Sequence, residues 1–230
     1  MSIGIIAAET DEMLAIRNIM KDIKETKIYN LNFIIGKIEN KECVLVKCGV
    51  GKVNAARTTQ VLIDNYDVKT IINVGSAGAV NPELNIEDVV IAKDLVQYDF
   101  DITAVGNYEK GEICEVGRFI KSDEKLIELC KKSIQEMENI NIKVGTIGSA
   151  DLFLADYKKA EELRKEFNLE CVEMEGAAIA QVCFLDNVPF LVIRGISDVQ
   201  NGNNKVDFHT YIEKASKKVA IILEKLISSL

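Results

Sequence analysis

Several acidic side chains in this chain stand at the ends of apolar runs, where a carboxyl group meets a ligand or a helix start rather than bulk water. Glu12 follows the run SIGIIAA, together with Glu9 and Asp11; Glu173 and Glu175 flank Met174 between LECV and the small-residue segment GAAIA; Asp198 closes RGISD after PFLVI. Carboxyls of this kind do general acid and general base work, because an acid against apolar walls tends to hold its proton near neutrality while a hydrogen-bonded one stays ionised. Each position also has a structural reading. Acids in a first turn stabilise a helix amino terminus, which fits Glu12 equally well, and Ser197 or Asp198 fits a cap of the segment that follows. Glu173 and Glu175 are two residues apart and cannot share a helical face, so they read either as acids with different partners, Glu175 for sugar hydroxyls and Glu173 for a structural donor, or as two solvated acids at a helix start.

Other candidates lack a charge. Phe153, in SADLFLAD, is read as a loop residue off any amphipathic stripe, so it fits a stacking platform for a flat base or a core anchor. The segment Gly75-Ser76-Ala77-Gly78 reads as a turn after TIINV whose glycines let backbone approach a ligand, or as a tight turn and nothing more. Gly49-Val50-Gly51-Lys52 is no phosphate loop, since a Walker motif needs glycine at Val46 and Ser or Thr at Val53. His209 is the only histidine, which excludes a multi-histidine metal site; with Phe208 and Tyr211 it marks the start of the last helix and a cover for a pocket.

Positioning these residues requires a sheet. Apolar runs of strand length alternate with helical patterns: SIGIIAA, a helix through Met20, NLNFIIGKI, ECVLVKC, a helix from Lys52 to about Tyr66, then TIINV, DVVIAKDLV, VGTIG, LECVEM and PFLVIR. Further helices are expected at Lys125 to Met137, Tyr157 to Phe167 and Phe208 to Leu230. Such alternation predicts a mainly parallel sheet covered on both faces, with ligands outside the carboxyl ends of its strands. In the last helix Ile212, Ala215, Val219, Ile222, Leu223 and Leu226 share the face that packs on the sheet.

At 230 residues and 48% hydrophobic, the chain suits one domain over residues 1–230. A formal charge of −8 with no basic run argues against nucleic acid or anionic lipid as partner. The six cysteines lie far apart without a CxxC pair, as in a reduced cytosolic protein, and no signal peptide or membrane span is read. A cytoplasmic location is expected.

The segments GIIAAETDEM, CGVGKVNAA, INVGSAGAV, GSADLF, VEMEGAAIA and VIRGISD, in this order over nearly the whole chain, resemble the 5′-methylthioadenosine/S-adenosylhomocysteine nucleosidases of the purine nucleoside phosphorylase superfamily. The resemblance implies a single-domain, three-layer α/β/α sandwich with a mixed, mainly parallel sheet. It implies hydrolysis of an N-glycosidic bond to release adenine and a 5′-thioribose, through an oxocarbenium-like transition state, with no cofactor, no metal and a homodimeric assembly. Carried over residue by residue, Asp198 protonates adenine N7 and Ser197 orients it. Glu12 activates the water, with Ser76 and Arg194 near the water or its carboxylate partner. Glu175 grips the ribose hydroxyls, Met174 packs on the sugar, Phe153 stacks on adenine and the Leu154 backbone reads its Watson–Crick edge. Val50 and Phe208 line the pocket; Glu173 carries the least specific role. At Val105 the chain departs from the resemblance, for family members often place there a phenylalanine that reaches into a neighbour's pocket. Rival readings are a nucleoside phosphorylase, which devotes arginines to phosphate where this chain has Asn73, an aminodeoxyfutalosine nucleosidase, and a nucleoside sensor without catalysis.

Overall fold

The computed structural model describes residues 2–135, 137, 140–199 and 204–230, the side chains of 204 and 205 excepted. One sheet collects every strand: β1 (Ser2–Ala7), β2 (Lys21–Ile28), β3 (Leu31–Ile38), β4 (Lys41–Lys47), β5 (Val68–Ala79), β6 (Val89–Gln97), β7 (Ile120–Lys121), β8 (Ile142–Ser149), β9 (Leu169–Glu173) and β10 (Phe190–Val199). Among the described residues six helices alternate with them: α1 (Thr10–Arg17), α2 (Lys52–Asn65), α3 (Glu124–Ser133), α4 (Tyr157–Phe167), α5 (Gly176–Leu185) and α6 (Asn204–Ser229).

The sheet is mixed. Parallel pairings run through β4-β1-β5-β10 and through β6-β8-β9, while antiparallel ones form the β2-β3-β4 meander and join β10 to β6. The end of β5 also meets β9, at Gly78 and Ala79, so β5, β10, β6, β8 and β9 close into a ring from which β1, β4, β3 and β2 extend as a wing. Five strands curling shut bring their carboxyl ends together, and that convergence makes the site possible.

Alternation within strands builds a core on each face. Ile6 of β1, Ile71 of β5 and Val192 of β10 face α2 and α5, whereas Ile5, Ile72, Leu191 and Ile193 face α1, α3 and α6. A smaller cluster around Leu163 and Phe167 seats α4. The expected face of the last helix is buried at all six positions from Ile212 to Leu226. That helix begins at Asn204, earlier than Phe208. The strand β2 has no counterpart in the expected elements: KDIKETKI is charged and exposed, the composition of a sheet edge that must not pair with another chain.

Packing of α6 on β10 depends on Gly195. A Cβ there would come 2.9 Å from the Ala215 carbonyl oxygen and 3.0 Å from Val219 Cγ2, so helix and strand backbones touch at this point. Gly195→Ala is expected to lever α6 outward and cost about 1–3 kcal/mol, the usual penalty of overpacking. Urea unfolding measures it, and an unchanged midpoint would show that α6 seats independently of the strand.

Candidate active site

The carboxyl ends of β1, β4, β5, β8, β9 and β10 open on a pocket of about 190 Å³. Its lining includes Glu12, Val50, Ser76, Phe153, Glu173, Met174, Glu175, Ser197, Asp198 and Phe208. Thus ten of the twelve expected site residues meet here, joined by Glu9, Gly78 and others. Leu154 lines a small adjoining cavity beside Phe153 and Asp198, and Arg194 lies beneath the floor.

Glu12 is 4% exposed and sits in the first turn of α1. Its Oε2 accepts from the N–H groups of Ala8 (2.9 Å) and Glu9 (3.0 Å), and its Oε1 from the Ser76 N–H (2.8 Å) and hydroxyl (3.0 Å). The helix-start reading and the site reading therefore describe one residue: the carboxylate closes the amino terminus of α1 and presents itself to the pocket. Room for it comes from Gly75, whose Cβ would lie 2.8 Å from Glu12 Oε1.

Gly75 to Gly78 form no turn, contrary to the sequence expectation. They continue β5, because β10 pairs with it as far as Ala79. Gly78 does for Asp198 what Gly75 does for Glu12, since its Cβ would lie 2.8 Å from Asp198 Oδ2. The register of β10 on β5 slips between Ile196 and Asp198, a bulge at Ser197 that re-aims the strand end. Asp198 is 2% exposed, and the Ser197 hydroxyl donates to its Oδ1 at 2.9 Å.

Glu173, the least specific of the expected residues, accepts four hydrogen bonds, as many as Glu12. Its Oε2 accepts from the N–H groups of Glu175 (3.0 Å) and Gly176 (2.7 Å), which start α5, and from Arg194 (2.5 Å); the Ser149 hydroxyl bonds its Oε1. The same Arg194 nitrogen donates to Asn73 Oδ1 at 2.5 Å. Burial works against the guanidinium charge, but Glu173 and then Glu12 outweigh it and hold Arg194 protonated. The hydrogen bonds of its guanidinium run to Glu173, Asn73 and the Ile193 carbonyl, under the floor, and Glu12 feels it through charge. Asn73 and Ser149, which the sequence reading did not place in the site, are its outer supports. Ser149 stands at the end of β8, whereas Asn73 lies inside β5 and no strand-end position marks it.

Glu175 faces the pocket with its Oε1 on the Gly51 N–H at 2.7 Å. Burial, reinforced by the neighbouring Glu173, pushes its carboxyl up to about 8. Phe153 is 44% exposed, too open for a core anchor, and meets Phe208 edge to face at 5.8 Å between ring centres. The two rings wall the pocket on the Asp198 side of the strand ends. Val105 is 81% exposed and does not line this pocket. Among the described residues no cluster of His, Cys, Asp and Glu is arranged to hold a metal.

The model of the phosphorylase superfamily matches residues 2–228. A Bacillus subtilis protein named 5′-methylthioadenosine/S-adenosylhomocysteine nucleosidase is 38% identical over 228 residues, 99% of this chain and 98% of its own length. The structure is similar to that of a nucleosidase of the same name from Neisseria meningitidis in complex with methylthio-immucillin-A, at TM-score 0.96 and 32% identity over 100% of this chain and 99% of that one. It is also similar to the native structure of a futalosine hydrolase of Helicobacter pylori, at TM-score 0.95 and 33% identity over 100% and 98% of the two chains.

The raised Glu175 has a consequence for stability. From its ordinary value of 4.5 up to about 8 the carboxyl is protonated when folded and ionised when unfolded, so unfolding releases a proton and stability falls as pH rises through this window. Glu175→Gln keeps the acceptor for Gly51 and removes the titration. The variant is expected to gain in melting temperature over the parent between about pH 4.5 and 8, levelling off above. A difference independent of pH would show that Glu175 is ionised throughout.

Proposed function

The chain belongs to the phosphorylase superfamily, and from that membership and the pocket's charge we propose that it hydrolyses the N-glycosidic bond of 5′-methylthioadenosine and S-adenosylhomocysteine, releasing adenine and the 5′-thioribose. One observation carries the choice of water over phosphate. The pocket lining holds Glu9, Glu12, Glu173, Glu175 and Asp198 and, among the described residues, no lysine or arginine. A phosphate dianion would meet acidic side chains and no cation there, whereas neutral water and a sugar that becomes cationic suit such a field.

In this reading adenine stacks on Phe153, with Phe208 set edge-on beside that ring as part of the pocket wall, and its N7 meets Asp198. Asp198 gives a proton to N7, the C1′–N9 bond breaks with its electron pair passing to the base, and the ribose gains oxocarbenium character. Glu12 takes a proton from water as the water oxygen bonds C1′. Ser76 holds Glu12 in register, and Ser197 does the same for Asp198. Glu175 receives the ribose hydroxyls, and Met174 packs on the sugar. Arg194 acts through Glu173, neutralising one carboxylate so that the others can face the substrate.

We extend the proposal to assembly and location. Val105 and Val53, exposed at 81% and 78%, are apolar side chains outside the chain's own pocket, as residues shared with a second copy would be; the assembly is a homodimer. All six cysteines are free, which suits the cytosol. The likeness to a futalosine hydrolase makes aminodeoxyfutalosine the second substrate to assay.

Two experiments test the reading. The protein should release adenine and free methylthioribose from methylthioadenosine at the same rate without phosphate and with it; no release until phosphate is added, with a sugar 1-phosphate then the main product, would refute hydrolysis. Asp198→Asn keeps size and hydrogen bonding but transfers no proton, so kcat should fall by roughly 10²–10⁴-fold while substrate binding changes far less. Near-normal turnover with an earlier melt would make Asp198 a structural residue and send the search for the leaving-group acid elsewhere.

A further inference from the structure

The Gly51 amide that meets Glu175 belongs to the short connection between β4 and α2, and this connection is tied down by groups outside the pocket. Gly51 has φ +100°, a left-handed conformation open to glycine, which turns its N–H toward Glu175. The next amide, Lys52 N–H, donates to Asp151 Oδ1 at 2.8 Å. Lys52 Nζ reaches Asp99 Oδ1 at 2.6 Å and Gln97 Oε1 at 3.1 Å, and the Asp151 N–H returns to Asp99 Oδ2 at 3.1 Å. Gln97 in turn accepts no slack, since its amide nitrogen donates to Gln181 of α5 at 2.6 Å. A side chain on Gly51 would come 3.1 Å from Asp151 Oδ1, so Asp151 fits closely against this backbone.

We propose that Lys52, Asp99 and Asp151 are positioning residues that hold the Gly51 amide against Glu175, and through it set the carboxyl that receives the ribose hydroxyls. None of the three lines the pocket. Their link to the reaction is geometric: the amino terminus of α2 serves two carboxylates through consecutive amides, Glu175 on Gly51 and Asp151 on Lys52, and a shift in the second moves the first. Asp99 closes the loop by bonding both Lys52 and Asp151, so the ends of β6 and β8 fix the start of α2. The side chains of Lys52 and Asp99 are 18% and 32% exposed, enough shielding to keep their ion pair from being screened away. The inference rests on the ribose role proposed above for Glu175.

The test compares kcat/KM on 5′-methylthioadenosine and on its 2′,3′-dideoxy analogue, which offers Glu175 no hydroxyls. Asp151→Ala and Asp99→Ala should each lose about 10- to 100-fold on the ribose substrate, as small misplacements of a binding group do. On the dideoxy analogue the loss should stay within about twofold, and Asp151→Asn, which retains the acceptor, should recover most of the ribose-substrate activity. The two alanine variants reach the amide from opposite ends, so misfolding of one leaves the other to decide. Equal losses on both substrates, or no loss on the ribose substrate, would overturn the proposal. Glu175→Gln separates the two failures: if it discriminates between the substrates and the cluster variants do not, only the positioning role falls; if it does not discriminate, the ribose assignment falls with it.

Discussion

Convergence of negative charge is the constraint on which the rest of this structure depends. Glu12, Glu173, Glu175 and Asp198 are each under a tenth exposed and share one small cavity, an arrangement that repels itself unless every carboxyl is separately compensated. One buried cation, Arg194, serves Glu173. Much of the rest comes from helix starts. The amides at the head of α1 bond Glu12, those at the head of α5 bond Glu173, and that of Gly51, just before α2, bonds Glu175. Three helices begin at the pocket because helix amino termini are the backbone's own source of positive potential.

That requirement reaches back into the topology. Helices start at the pocket only if the strands before them end there, and β1, β4 and β9 do so because the ring of β5, β10, β6, β8 and β9 gathers the carboxyl ends. At the centre, β5 runs parallel to β10 and must pass between two acids. Gly75 and Gly78 lack the Cβ that would strike Glu12 and Asp198, and the slip at Ser197 lets β10 deliver both a buried arginine and a pocket-facing aspartate within five residues. Strand pairing, glycine placement and acid placement are one solution to one steric problem.

This explains what could be read in the sequence and what could not. Glu12, Glu175, Asp198 and Phe153 each follow an apolar run closely, so a rule about strand ends finds them. Gly75 to Gly78 were legible as unusual but their conformation was not: whether glycines turn a chain or clear space beside it depends on a partner strand 119 to 120 residues distant in sequence. Arg194 shows the same limit, since its partners Asn73 and Glu173 become neighbours only when the ring closes. Lys52, Asp99 and Asp151 each stand shortly after a strand end, but nothing local says that they bond one another, and β2 hid because a charged edge strand carries no apolar rhythm.

An acid-lined pocket for a neutral nucleoside looks wasteful if judged by substrate affinity. Methylthioadenosine brings no charge, and neither adenine nor the thioribose leaves with one, so the field of the carboxylates favours ground state and products little. Only between them does the sugar carry positive charge. Interactions that strengthen at that moment accelerate the reaction without trapping either end of it. Glu175 fits this scheme in its proposed role as acceptor of the ribose hydroxyls, because those hydroxyls become stronger donors as the ring becomes cationic. The electrostatic strain of packing these acids together is then offset by the folded scaffold of helix starts and Arg194, and it is relieved most fully by the transition state.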